Sequence, residues 1–107
     1  IPLHGYDWIV PPPAGFFARG VSYNGATQLA AEYGVPVQWD DTSKEPFFFY
    51  VSDGEKHELW FQNPNSLYAK MLLVNEYFLR GLGLWPLAFA FPEFWAELAG
   101  LFTVIKV

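Results

Sequence analysis

The longest periodic stretch of the chain is WFQNPNSLYAKMLLVNEYFLRGLGLW, residues 60 to 85. Leu67, Met71, Val74 and Phe78 recur at helical spacing, and Leu72, Leu73 and Leu79 widen the apolar face. Asn65 and Ser66 are residue types that cap helix N-termini. Arg80 suits a helix C-terminus and Gly81 permits a left-handed exit, so the pattern predicts a helix near 66 to 80. Leu82, Leu84 and Trp85 are apolar on both sides of the small Gly83, as in a parallel strand covered on both faces. A helix followed by such a strand is an αβ step. Chemistry in parallel α/β folds gathers at the carboxyl ends of strands, where Trp85 would sit.

The rest of the chain alternates shorter signals. Residues 1 to 5 read as a short strand that ends where Gly5 frees the backbone. YDWIVPPPAG, residues 6 to 15, reads as a loop stiffened by consecutive prolines, either a linker or a groove wall with Tyr6 and Trp8 at its entrance. Ser22 caps a helix over residues 23 to 33, stopped by Gly34 and Pro36, with Asn24 and Gly25 weakening its first turn. Val37 to Trp39 is a strand candidate. PFFFYVS and EKHELWF around Asp53-Gly54 form a hairpin signal. Pro92 suits the first turn of a last helix near 93 to 100, and LFTVIKV closes as an extended tail. No internal repeat or low-complexity segment interrupts this order.

Composition narrows the classes of function. Hydrophobic residues make up 52% of the chain and aromatics 21%, which excludes disorder and exceeds what a small domain hides on its own. Some of that surface is expected to face a partner. The net charge is −5, and the few basic residues (19, 44, 56, 70, 80 and 106) form no stripe, which argues against nucleic acid. No apolar run is long enough to span a bilayer. The absence of cysteine removes disulfides and thiol chemistry. His4 and His57 fit no metal-ligand spacing, so neither a metal nor a cofactor is expected.

Several segments taken in order resemble the C-terminal part of family 18 glycoside hydrolases, the chitinase-like barrels. They are IPLHGYDW, SYNGATQLAAEYG, VQWDD, PFFFY, HELWFQNPNS, Lys70, LRGLGLWPLAF and FPEFW. The resemblance is strongest to the bacterial spore-germination and peptidoglycan-hydrolase branch. It implies an α/β fold, a C-terminal fragment of a (β/α)8 TIM barrel carrying a small α+β insertion. Residues 1–107 would be a partial barrel, with 6–64 a loop plus the insertion and 65–107 the last barrel helix, strand, helix and tail. A complete barrel needs about 250 residues, so the chain would require the N-terminal remainder. The implied location is secreted, or in the bacterial cell envelope or spore.

The resemblance also assigns roles. The family's acidic signature, DxxDxDxE, supplies its catalytic glutamate and is absent from these residues. The isolated chain is therefore expected to be inactive, with no catalytic residue of its own. What remains is substrate binding to an N-acetylglucosamine-containing glycan, peptidoglycan or chitin. A tryptophan in an apolar strand is ordinarily core, but the resemblance makes Trp85 the floor of a sugar subsite. It places His4 and Tyr6 where relatives have cleft-facing Tyr and Arg, and Trp8 and Asp40 beside the cleft. Without the resemblance, Asp40, Asp41 and Glu45 would read as a solvated turn. His57 is expected to be structural. WFQNPNS replaces the family's WFEDxRS, so a charged network there would become neutral, and Ala88 stands where Gly is usual. The alternative is a non-catalytic, lectin-like carbohydrate-binding barrel, and a further rival is an interaction fragment with no sugar function.

Overall fold

Asp53 and Gly54 both adopt positive φ, 52° and 76°, which makes the two-residue turn that matches the twist of its flanking strands. It joins β4 (Glu45–Ser52) to β5 (Glu55–Trp60) in the register Ser52 to Glu55, Tyr50 to His57 and Phe47 to Trp60. The computed structural model, which describes residues 1–15, 17–81, 83–85 and 92–101, builds a five-stranded sheet around this hairpin. The other strands are β1 (Gly5–Ile9), β2 (Arg19–Val21) and β3 (Gln38–Asp40). The order is β2-β1-β5-β4-β3, with every neighbour antiparallel.

Residues 6 to 9 are thus strand where the sequence pattern suggested a loop, and Gly5 begins that strand instead of ending one. The physical reason is space. A Cβ on Gly5 would collide with the Trp60 carbonyl and the Phe61 backbone, so glycine lets β1 lie close against the end of β5. The predicted strand over residues 1 to 5 survives as one parallel bridge, Pro2 with Trp85, closed by Leu3 N–H to the Trp85 carbonyl and Trp85 N–H to the Ile1 carbonyl.

Helix α1 (Tyr23–Tyr33) has the predicted ends. Ser22 Oγ accepts from the Gly25 amide at 3.0 Å, and Gly34 leaves in the left-handed region at φ 63°. Gly25, which weakens the turn on propensity alone, leaves room for that cap. Helix α2 (Pro64–Glu76) begins and ends earlier than predicted. Its cap is Asn63, which accepts from Ser66 N–H at 2.9 Å while Ser66 Oγ accepts from Asn63 N–H at 2.8 Å, a reciprocal capping box with Pro64 in the first turn. It ends with Phe78 at φ 55°, where Leu79 N–H reaches the Val74 carbonyl at 2.8 Å. This is a Schellman-type exit with phenylalanine in the position glycine usually takes. Arg80 and Gly81 lie beyond it. Helix α3 (Pro92–Leu101) follows the predicted start. Leu82, the segment 86–91 with Ala88, and the tail 102–107 fall outside the described residues.

Two apolar clusters hold these elements. Val21, Ala26, Ala30, Phe48, Tyr50, Leu59 and Phe61 fill the space between α1 and one face of the sheet. Leu3, Leu67, Met71 and Leu98 join the N-terminal segment to α2 and α3, with Leu84 against them. Tyr23 packs on both clusters. The substitution Gly5→Ala is expected to destabilise the fold by about 3 kcal/mol, because the clash is with backbone and cannot relax by rotamer change. Chemical unfolding monitored by circular dichroism checks this; an unchanged midpoint contradicts the close approach.

Candidate functional site

Strand alternation divides the sheet's residues between two sides. On β1, Gly5 and Asp7 are buried toward α1, whereas Tyr6 and Trp8 remain 44% and 43% exposed on the open side. Register then places their companions. Tyr6 lies opposite Trp60, and Trp60 lies opposite Phe47 on its other flank. Phe47 stacks on Trp60 with centroids 4.5 Å apart and planes 20° from parallel, and Phe49 meets Phe47 edge-on at 5.8 Å. Tyr6 and Trp8 are 6.3 Å apart. The result is an aromatic strip across β1, β5 and β4, spanning about 10 Å at ordinary strand spacing. Polar groups edge it. Trp60 Nε1 donates to Glu58 at 2.7 Å, and Lys56 Nζ lies 4.8 Å from the Phe49 ring centroid.

Of the residues picked out from sequence, His4, Tyr6 and Trp8 share this side. His4 Nε2 and the Tyr6 hydroxyl are 2.9 Å apart, with their rings edge-to-face. Trp85 pairs with Pro2 in the isolated parallel bridge and is 54% exposed. Asp40 is placed elsewhere, at the end of edge strand β3, separated from β1 by β4 and β5. Its Oδ2 accepts from Ser43 Oγ at 2.6 Å and Ser43 N–H at 3.2 Å, closing the β3–β4 turn. Those bonds hold its carboxyl below the usual range, and the Lys44 ammonium at 2.6 Å does the same for Asp41.

Sequence reasoning passed over Trp60, Phe47 and Phe49. The signal was present: a two-residue Asp-Gly turn fixes the pairing of 47 with 60, and alternation then puts 47, 49, 58 and 60 on one face. It also passed over Asp7, whose residue is only 3% exposed. On the α1 side, Asp7 Oδ2 accepts from the Tyr50 hydroxyl and lies 3.3 Å from Arg19 Nη2, while Oδ1 is 2.8 Å from His57 Nδ1. Burial first, then the bond to Asp7, pushes the Tyr50 phenol well above its ordinary value, so it remains a donor. His57 stacks on Tyr50 at 4.5 Å. A cleft of about 470 Å³ opens beside this cluster, lined also by Tyr33, Glu32 and Ser52. Among the described residues no group of His, Asp and Glu is arranged to hold a metal ion.

The neutral WFQNPNS segment enters a charged network after all. Buried Gln62 donates to Glu45 at 3.1 Å and accepts from Lys70 at 2.8 Å and Ser66 at 3.0 Å, while Lys70 and Glu45 pair directly at 2.9 Å. The amide stands between opposite charges, joining β4 to α2.

An open aromatic strip and a parallel bridge ending at Trp85 are thus the chain's candidate surface, and several known proteins share its sequence and fold. The cortical fragment-lytic enzyme of Bacillus subtilis is 40% identical over 106 residues, 97% of this chain and 25% of that protein. The crystal structure of the Bacillus megaterium spore cortex-lytic enzyme SleL superposes with a TM-score of 0.92 at 38% identity, covering 100% of this chain and 25% of that one. A chitinase from Chromobacterium violaceum matches with a TM-score of 0.79 at 33% identity, over 91% of this chain and 30% of the other. No protein-family model matches the chain. Its homologues are chitinase-like glycoside hydrolases of family 18, the spore cortex-lytic enzymes among them, and it spans about a quarter of the length of the relatives it matches. No helix among the described residues is long and apolar enough to cross a membrane.

Replacing Ser43 with alanine is expected to return the Asp40 carboxyl toward its ordinary value. A depressed carboxyl stabilises the fold above its unfolded value, and that contribution disappears as pH falls through the folded one. Carboxyl NMR titration of Asp40 reads the change directly; an unmoved titration would show that Ser43 is not its cause.

Proposed function

We propose that this chain is the substrate-binding C-terminal portion of a family 18 glycoside hydrolase acting on N-acetylated glycans, peptidoglycan ahead of chitin. The observation that carries the reading is the open aromatic strip, with His4 against Tyr6 at its end and Trp85 exposed on the parallel bridge. Pyranose rings present flat C–H faces, which aromatic rings cover, while flanking groups such as His4, Tyr6 and Glu58 meet the hydroxyls. Trp85 is the proposed floor of one subsite, with Tyr6, Trp8 and His4 lining the wall. Asp40 contributes to the far rim. The residues lack the family's acidic signature, so hydrolysis is assigned to the rest of a longer parent protein.

The domain reading follows the same line. Residues 1–107 are proposed as part of a barrel, 6–64 as its α+β insertion and 65–107 as its last helix, strand and helix. The parallel bridge between Pro2 and Trp85 supports this, since parallel pairing is the barrel's own. So does the exposed apolar side of α2 and its exit, where Tyr68, Leu72, Leu73, Tyr77 and Phe78 lie open. We assign that side to contact with the remaining barrel. The proposed setting of the parent is secreted, or in the bacterial cell envelope or spore; similarity to a spore cortex-lytic enzyme supports it.

In the parent protein, Trp85→Ala and Trp60→Ala are each expected to weaken binding of a soluble N-acetylglucosamine oligomer about tenfold, near 1.4 kcal/mol. Titration calorimetry measures this. Wild-type affinity and turnover in both variants would overturn the reading.

A further inference from the structure

We propose that Asp7 is a positioning residue for the aromatic face, acting from the opposite side of the sheet through Arg19, Tyr50 and His57. The inference rests on the reading of that face as a glycan surface. Asp7 stands in β1 between Tyr6 and Trp8, and alternation sends its carboxylate toward α1 while they face outward. The partners it gathers come from different strands: Arg19 from β2, His57 from β5 and Tyr50 from β4. Two of those strands, with β1, are the ones that carry the strip, since β5 bears Trp60 and β4 bears Phe47 and Phe49. One carboxylate therefore ties together, at the back, every strand whose aromatics must line up at the front.

Main-chain ladders set register but leave twist free over a wide range. Twist decides whether rings on neighbouring strands lie level enough for one sugar chain to touch them all. A node that spans β2 to β4 removes that freedom. Tyr50 and His57 are themselves directly paired across β4 and β5 and stacked at 4.5 Å, so a shift of either strand moves both Asp7 donors. A purely packing role is a poor account of the same residues. Buried ionic clusters replaced by apolar groups of similar volume are often as stable or more so, and their best-attested use is to specify one geometry. The cluster also borders an open cleft.

The test compares four variants in the full-length parent protein, with the same N-acetylglucosamine oligomer as probe. Asp7→Asn and His57→Leu remove the node. His57→Asn keeps a donor near the Nδ1 position. Ala30→Gly, in α1, loosens the same core while leaving every side chain of the node and the strip in place. All affinities are taken at a temperature where circular dichroism shows each variant folded. Asp7→Asn and His57→Leu are expected to bind about tenfold more weakly, and His57→Asn to bind like wild type. Ala30→Gly is expected to lower the thermal midpoint while leaving the affinity unchanged. Should Asp7→Asn fail to fold, Tyr50→Phe, which deletes a single donor, takes its place and carries the same expectation. Wild-type affinity in folded His57→Leu and Asp7→Asn overturns the positioning role, as does equal weakening by Ala30→Gly. Trp8→Ala separates the two levels. If it weakens binding while the node variants do not, only this inference falls; if it has no effect, the glycan-face reading falls with it.

Discussion

The register of β1 against β5 governs every other assignment in the sheet. With Tyr6 opposite Trp60 and Asp7 opposite Leu59, aromatic residues meet on the open side and the carboxylate meets its donors on the covered side. A slip of one residue would exchange the two sets, exposing Asp7 and driving Tyr6 and Trp8 into the α1 core. Gly5 guards against that slip at one end, because only a residue without a side chain fits beside the Trp60 carbonyl. The buried carboxylate guards against it in the middle, since no other position of β1 offers an acid to Tyr50 and His57.

Much of this was legible before any coordinates. The hairpin around Asp53-Gly54, helix α1 with its Ser22 and Gly34 ends, and the start of α3 all carried local signals that act through backbone geometry. Where reading failed, a long-range effect had overruled a local one. Three prolines after Val10 made residues 6 to 15 look like a linker, yet β1 is a strand because β2 and β5 pair with it from either side. The C-terminal end of α2 misled for the opposite reason. Gly81 is the obvious left-handed residue, but the chain makes its exit at Phe78. Among the functional candidates, His4, Tyr6 and Trp8 were found through a family pattern and share one side. Trp60 and Phe47 were missed because they emerge only when the turn's register is carried across to the next strand. Asp7 was hidden by its neighbours, since a lone acid between two aromatics reads as a solvated position until its burial is known.

The Glu45–Gln62–Lys70 network shows how the two apolar clusters behave as one body. Tyr23 touches both clusters from one side, and Gln62 bridges the hairpin to α2 from the other. An uncharged amide serves there better than a third charge. It offers a donor to the carboxylate and an acceptor to the ammonium, so neither ion is left without a counterpart at the half-buried junction. Gln62 thus keeps β4 and α2 connected without adding a third charge.

The strands at the margins carry a last consequence. A sheet with an open aromatic face would ordinarily be a hazard, because a long, flat rim invites further strands from other molecules to add on. Here both outermost strands, β2 and β3, are only three residues long, and a tight turn follows β3. So short a rim gives a foreign chain few main-chain groups to grip. The sheet can therefore display its rings to solvent while resisting the growth of intermolecular sheets through its edges.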